Sequence, residues 1–352
     1  MRHGGSGRAD GGGPPARAVA ASLRFCEEES LVPFAPTIGI ITARPEEFSA
    51  VEALVDNSSW VLTVDGDGRP SYLAGTMRSA QPDVAHDVVV VRRTGATDDV
   101  VATSAAGLAA AFPTVGVVVI CGIAAGVPGR DPRRHVAAGD IVVARNGFVV
   151  DDDVQVTDDG VGLRARADGP SPLLTAASDE LRTAAHQRGL RPWEAWLEPA
   201  AVGLPAGFRR PEEPQCPLQT PRRRGRPNVY YGRIGGAVGS LRSSWVLEEL
   251  AAGYDLRAVE LAGRGMRTSA FPPGLEWFVV RGIAEDATVV TECDWRPAAA
   301  LAAAAYTRAL LGACLPVRHR DVTARPRLHI PRLRELRSGR LGRRLHGLHR
   351  QS

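Results

Sequence analysis

Residues 115–127 read V-G-V-V-V-I-C-G-I-A-A-G-V, the longest apolar run in the chain. Its β-branched first half, Gly116–Cys121, predicts a strand buried on both faces. The Gly-Ile-Ala-Ala-Gly that follows predicts a tight strand-to-helix turn where a ligand approaches backbone N–H groups. The run is about half of the roughly 20 residues a spanning helix needs and carries glycines, so it predicts no membrane span.

Working outward, similar short runs recur at Ile38–Thr42, Asp87–Arg92, Asp140–Ala144, Val229–Ile234, Arg257–Leu261 and Trp277–Arg281. Between several of them lie Ala/Leu-rich stretches with helical spacing: Glu46–Leu54, Asp98–Ala111, Pro172–Arg188, Ser243–Ala252 and Pro297–Leu311. This alternation predicts an α/β domain with a largely parallel, helix-covered sheet over residues 37–315. Residues 1–36 are a Gly/Pro-rich arm expected to be disordered. Residues 189–228 read as a long loop, with a Pro/Arg-rich insertion at 205–228.

The 43 basic side chains are all arginine, and the net charge is +4. Without lysine, Schiff-base chemistry, a pyridoxal-phosphate anchor and a Walker-type phosphate loop are excluded. The charge is unevenly placed. Residues 318–352 hold eleven arginines against Asp321 and Glu335, a local +9, which leaves −5 for the rest. In this tail, which begins at 316, Leu341, Leu345 and Leu348 at helical spacing predict a basic amphipathic segment able to meet an anionic membrane, nucleic acid or an acidic partner. Five scattered cysteines without a C-x-x-C predict neither a zinc site nor a disulfide framework. They fit a reducing cytoplasm. Nothing in the sequence calls for a cofactor.

In open α/β sheets ligands collect at the carboxyl ends of strands. There the chain places Arg44, Glu46 and Glu47 after the first strand, and Glu285 with Asp286 after the last. Glu260 lies inside an apolar strand and is expected to pair with Arg281, because a lone buried carboxylate is costly. Three or four carboxylates around a glycine-lined pocket suit acid/base work on a polyhydroxylated substrate.

The ordered segments IGIITARPEEFSAVEALV (38–55), VICGIAAGV (119–127), AGDIVVA (138–144), YYGRIGGAVGS (230–240), AVELAGRGM (258–266) and FVVRGIAEDA (278–287) resemble the nucleoside phosphorylase and methylthioadenosine/S-adenosylhomocysteine nucleosidase superfamily. The branch most alike comprises nucleosidase-like domains of bacterial and fungal effector or signalling proteins. The resemblance implies a three-layer αβα fold with a mixed central sheet, a purine nucleoside or nucleotide as substrate, and a homodimer or larger ring. It implies that Glu47 activates water. Glu285, with Asp286 adjacent, would protonate the departing base. Ile123, Ala124 and Gly126 would lie beside sugar and base, Ser240 and Leu241 at the base, and Glu260 and Leu261 in the ribose segment. Phosphorolytic members place arginines at the positions of Glu47 and Ile120, so hydrolysis is preferred, with Arg44, Arg92 and Arg93 left as anion-binding candidates. Two departures stand out: Ala262 replaces a ribose-gripping glutamate, and Glu285 replaces an aspartate. A catalytically lapsed nucleotide-binding or scaffold domain, and a phosphate-dependent phosphorylase, are the competing readings.

Overall fold

A computed structural model describes residues 34–62, 70–91, 100–127, 135–158, 160–164, 169–211, 225–236, 243–260, 271–287 and 294–317. The N-terminal arm to residue 33, the core of the Pro/Arg-rich insertion at 212–224 and the basic tail from 318 lie outside these residues. In chain order the elements are β1 (Ile38–Ile41), α1 (Pro45–Glu52), β2 (Asp56–Leu62), β3 (Pro70–Arg78), β4 (Ala85–Val91), α2 (Val100–Ala111) and β5 (Val117–Gly126). There follow β6 (Ile141–Val143), β7 (Phe148–Val149), β8 (Val154–Thr157), β9 (Gly160–Leu163), α3 (Pro172–Arg188) and α4 (Glu194–Val202). The last are β10 (Val229–Tyr231), β11 (Arg233–Gly235), α5 (Ser244–Tyr254), β12 (Leu256–Val259), β13 (Glu276–Asp286) and α6 (Arg296–Gly312).

The main sheet runs β10-β6-β13-β5-β1-β4-β3-β2, with β12 and β11 joined at β5 and β7 paired to β11. Its centre is parallel: β1 pairs in that sense with both β4 and β5, and β13 with β5. Antiparallel pairs lie at β6–β13, β12–β5, β2–β3 and β3–β4, so the sheet is mixed and mostly parallel.

Strand alternation sends Ile38, Val117, Val119, Cys121 and Val280 to one face, where α1, α3, α4 and α6 cover them. Ile41, Val118, Ile120 and Val279 go to the other, where Ala105 and Leu108 of α2 pack. Helices on both faces make the three layers. The alanine run of α6 explains how close that layer comes: a Cβ at Gly282 of β13 would stand 1.8 Å from the Ala299 carbonyl oxygen. No described helix is long and apolar enough to cross a membrane.

Three expectations need correction. Gly122–Gly126 is no turn but the second half of β5, fully buried, because β13 pairs with it to the end. The stretch 189–228 is not all loop. Residues 194–202 form α4 despite Pro199, since Ala201 is buried, Leu197 packs on the core and Arg308 lies 4.1 Å over the Trp196 ring. Third, β12 ends at Val259, so Glu260 follows the strand instead of lying within it.

Candidate active site

β13 covers one edge of β5 from Val117 to Gly126. The other edge is shared. β1 accompanies it only as far as Ile120, and β12 takes it up at Ala125. Because β1 is parallel to β5 and β12 antiparallel, their carboxyl ends face each other across residues 121–124. The chain leaving β1 turns into α1, and the chain leaving β12 opens with Glu260. This gap in the sheet gathers the chemistry.

Glu47 stands at the third position of α1. Its carboxylate accepts from the N–H groups of Ala43 at 2.7 Å, Arg44 at 3.0 Å and Ile123 at 2.9 Å. The first two precede the first helical residue, and the glutamate at the third position reaches back to accept from both, the acid half of a capping box. The third is the β5 amide that β1 would have bonded had it run on. A helix-capping glutamate therefore doubles as a plug for the open strand edge. Gly122 makes the room, since a Cβ there would stand 2.5 Å from Glu47 Oε1. Burial pushes the Glu47 carboxyl above the usual glutamate range, opposed by the Arg281 charge and the three backbone N–H groups.

Arg281 sits on β13 directly opposite Gly122. From there its guanidinium donates to Glu260 Oε1 at 2.5 Å and to the Ile120 carbonyl at 3.2 Å. The expected Glu260–Arg281 pair is present. Burial works against the Arg281 charge, but Glu260 and then Glu47 outweigh it and hold the guanidinium charged more firmly than usual. Two carboxylates thus share one cation, all three side chains being buried. Cys121, next to Gly122, is buried, and that burial pushes its thiol up to about 12.

The acids at the end of β13 divide. A bulge lies between Ile283 and Glu285, so the cross-strand partners are Arg281 with Gly122, Ile283 with Ala124, Glu285 with Ala125 and Asp286 with Gly126. Without the extra residue, Glu285 would share the face of Arg281. With it, Asp286 does, and Glu285 turns to the opposite face, where it feels Arg296 at the start of α6. Asp286 Oδ2 lies 3.9 Å from His135 Nε2, both side chains largely buried.

Of the residues singled out in the sequence, the structure therefore brings Glu47, Glu260 and the Ile123 N–H together. Ala124 belongs to the core under α2, and Gly126 packs against Val136, where a Cβ would meet its carbonyl at 2.7 Å. The Arg44 side chain is part-exposed, 4.0 Å from Glu46. Ser240, Leu241, Leu261, Ala262, Arg92 and Arg93 lie outside the described residues. Two contributors escaped the sequence reading. Gly122 was hidden because a glycine after a strand reads as a turn, and His135 because nothing in its neighbourhood has a period or motif.

No family model matches the chain. Its structure superposes on a 5′-methylthioadenosine/S-adenosylhomocysteine nucleosidase from Borrelia burgdorferi, bound to adenine, with a TM-score of 0.50 and 13% identity, covering 78% of this chain and 98% of that one. The chain has the nucleosidase fold. The Streptococcus pneumoniae nucleosidase, in complex with a transition-state inhibitor, is 21% identical with a TM-score of 0.48 over 78% of this chain and 98% of its own. Helicobacter pylori futalosine hydrolase is 16% identical with a TM-score of 0.46, over 78% and 97%. In sequence, the chain is 27% identical over 310 residues to a nucleotide-binding leucine-rich repeat (NLR)-like protein of Hyaloscypha variabilis. That match takes in 80% of this chain but only 30% of the relative's length.

Proposed function

We propose that the chain hydrolyses the N-glycosidic bond of a purine nucleoside or nucleotide, with Glu47 as the base that activates water. The observation that carries this is the Glu47 carboxylate, fixed by three backbone N–H groups at a gap between converging strand ends. A carboxylate offers about four acceptor sites, so three protein donors leave one for a water. Its raised pKa suits a group that takes a proton during the reaction and returns it afterwards. As water adds to the sugar carbon, the C–N bond breaks, its electron pair leaves with the base, and a proton delivered to the base neutralises it. We assign that proton to Asp286, on the face of Arg281, in preference to Glu285. Glu260, gripped by Arg281, supplies negative charge near the oxocarbenium-like sugar.

A second reading, a binding or scaffold domain without turnover, draws on the same geometry: three backbone N–H groups on Glu47 and Arg281 on Glu260 give both acids a structural role of their own. The resemblance to nucleosidase-like domains of effector or signalling proteins supports a signalling or defence setting for either reading. Incubation with adenine and guanine nucleosides and nucleotides, with and without phosphate, decides between them. Release of free base without phosphate, abolished by Glu47→Gln, is the expected result. No base under any condition overturns the enzyme reading, and release strictly dependent on phosphate replaces hydrolysis by phosphorolysis.

A further inference from the structure

The far end of the sheet carries a second surface, away from the Glu47 gap. β10 is an edge strand, paired among the described residues with β6 alone. Ile141 N–H donates to the Asn228 carbonyl and Gly232 N–H to the Val143 carbonyl. Residues 228 and 232 therefore face β6, and the alternation of a β ladder turns the N–H and C=O groups of Val229 and Tyr231 outward. They open into a groove of about 840 Å³ between β10 and the second half of α3, whose lining includes Arg182, His186, Arg191, Trp193 and Tyr231.

The groove is cationic in effect as well as in composition. Its one lining acid, Asp179, is held by Arg145 through bonds of 2.6 and 2.9 Å, which with a smaller contribution from Arg182 keeps its carboxyl below the usual range, so two arginines face one acid here and Arg191 adds a third cation. Arg182 lies over the Tyr231 ring at 5.2 Å from its centroid, and Arg191 donates to the Gly189 carbonyl at 3.0 Å. Neither contact neutralises a charge. An outward row of peptide donors and acceptors flanked by arginines complements one kind of ligand: a backbone in extended form that carries carboxylates.

The geometry points to β10 as a docking edge for an extended acidic segment of a partner protein, which adds a strand beside Val229–Tyr231 and sets its carboxylates against Arg182 and Arg191. Three residues of β10 span only about 10 Å, so ladder bonds alone make a weak complex and the arginines must supply much of the affinity. A small anion would leave the strand edge unmet. A nucleic acid has no peptide groups to pair with it.

The test uses the full chain and a fluorescein-labelled heptapeptide of alternating Glu and Val, followed by anisotropy. Binding is expected, with no binding of the Lys-for-Glu peptide, and the double substitution Arg182→Glu, Arg191→Glu weakens it at least tenfold. Two N-methylated peptides keep the inference testable should that variant fold poorly. In a strand alternate amides face opposite edges, so methylating one alternate set abolishes binding and methylating the other leaves it intact. Equal effects of the two sets, or no binding of the parent peptide, overturn strand addition. An equally charged single-stranded oligonucleotide that competes on level terms overturns the peptide assignment.

Discussion

The two carboxylate-bearing ends of the central sheet are built by different means. At the β1/β12 gap, Glu47 is held by backbone alone: two amides of its own helix start and one of β5. At the end of β13 a bulge decides which acid faces the site, and Asp286 has a side-chain neighbour, His135, at 3.9 Å. Backbone amides cannot rotate away, so the first carboxylate is oriented before substrate arrives. The second has a side-chain neighbour instead of backbone amides. On the proposed function, the gap would hold the base and the bulged end the acid.

The sharpest way to break this contrast is Glu47→Gln. The amide keeps the size but removes the base, and base release should fall by about 10²–10⁴-fold in kcat, measured by chromatography of the free base. If kcat is unchanged, Glu47 is only a helix cap. Next, Arg281→Met strips the cation from between two buried carboxylates. Breaking one partner of a buried pair costs about 3–5 kcal/mol, to be read by urea denaturation at neutral pH. Adding Glu260→Leu should restore part of the loss, because the lone charge is then gone too. If the double variant is no more stable than the single, Arg281 acts through packing and not charge.

Gly122→Ala attacks the same gap from beneath. Its methyl would stand 2.5 Å from Glu47 Oε1, so either the carboxylate gives up its amides or β5 shifts. Overpacking of this kind costs about 1–3 kcal/mol, and activity should fall toward that of Glu47→Gln. Wild-type kcat in a well-folded Gly122→Ala would mean that the Glu47 position is not tightly specified.

How far the sequence revealed these features follows from the kind of force involved. The β-branched runs and helical spacings announced the central strands and most helices, because burial on both sides demands apolar residues. Glu260 was legible as an acid where acids are expensive, with Arg281 as its expected partner, and Glu47 only as an acid in the first turn after a strand, its role coming from the resemblance. The β2–β3 hairpin was not legible. Asp-Asn-Ser-Ser opens an edge strand whose order comes from its ladder with β3, not from its own composition. The bulge in β13 was equally invisible: Ile283-Ala284-Glu285-Asp286 reads as regular alternation, and only pairing with Ala124, Ala125 and Gly126 reveals the inserted residue. An ungapped match to the family it resembles therefore selected Glu285, whereas the bulge puts Asp286 on the face of Arg281.

That choice is itself a prediction about the bulged end. Asp286→Asn should lower kcat by at least about tenfold more than Glu285→Gln does, since the bulge puts Asp286 on the face of Arg281 and Glu285 on the other. The reverse ranking would show that the strand re-registers when substrate binds.

The smallest expected effect is on pH, and its sign follows from burial. The Glu47 carboxyl is raised above 4.5 because burial outweighs Arg281 and the three amides. It must be ionised to accept a proton, so the ascending limb of kcat/KM against pH should lie above 4.5. Arg281→Met removes a charge that favours ionisation and should move that limb higher still. Stability runs the other way. A carboxyl raised on folding contributes most below its unfolded value and loses that contribution as pH rises through the folded one. Glu47→Gln has no such loss, so its melting temperature relative to wild type should climb as pH increases from 4.5. The constant offset between the two proteins reflects an amide facing one N–H too many, and only the slope reports the titration. A flat difference would mean that the gap admits enough water to leave Glu47 an ordinary glutamate, and the contrast with the open end of β13 would disappear.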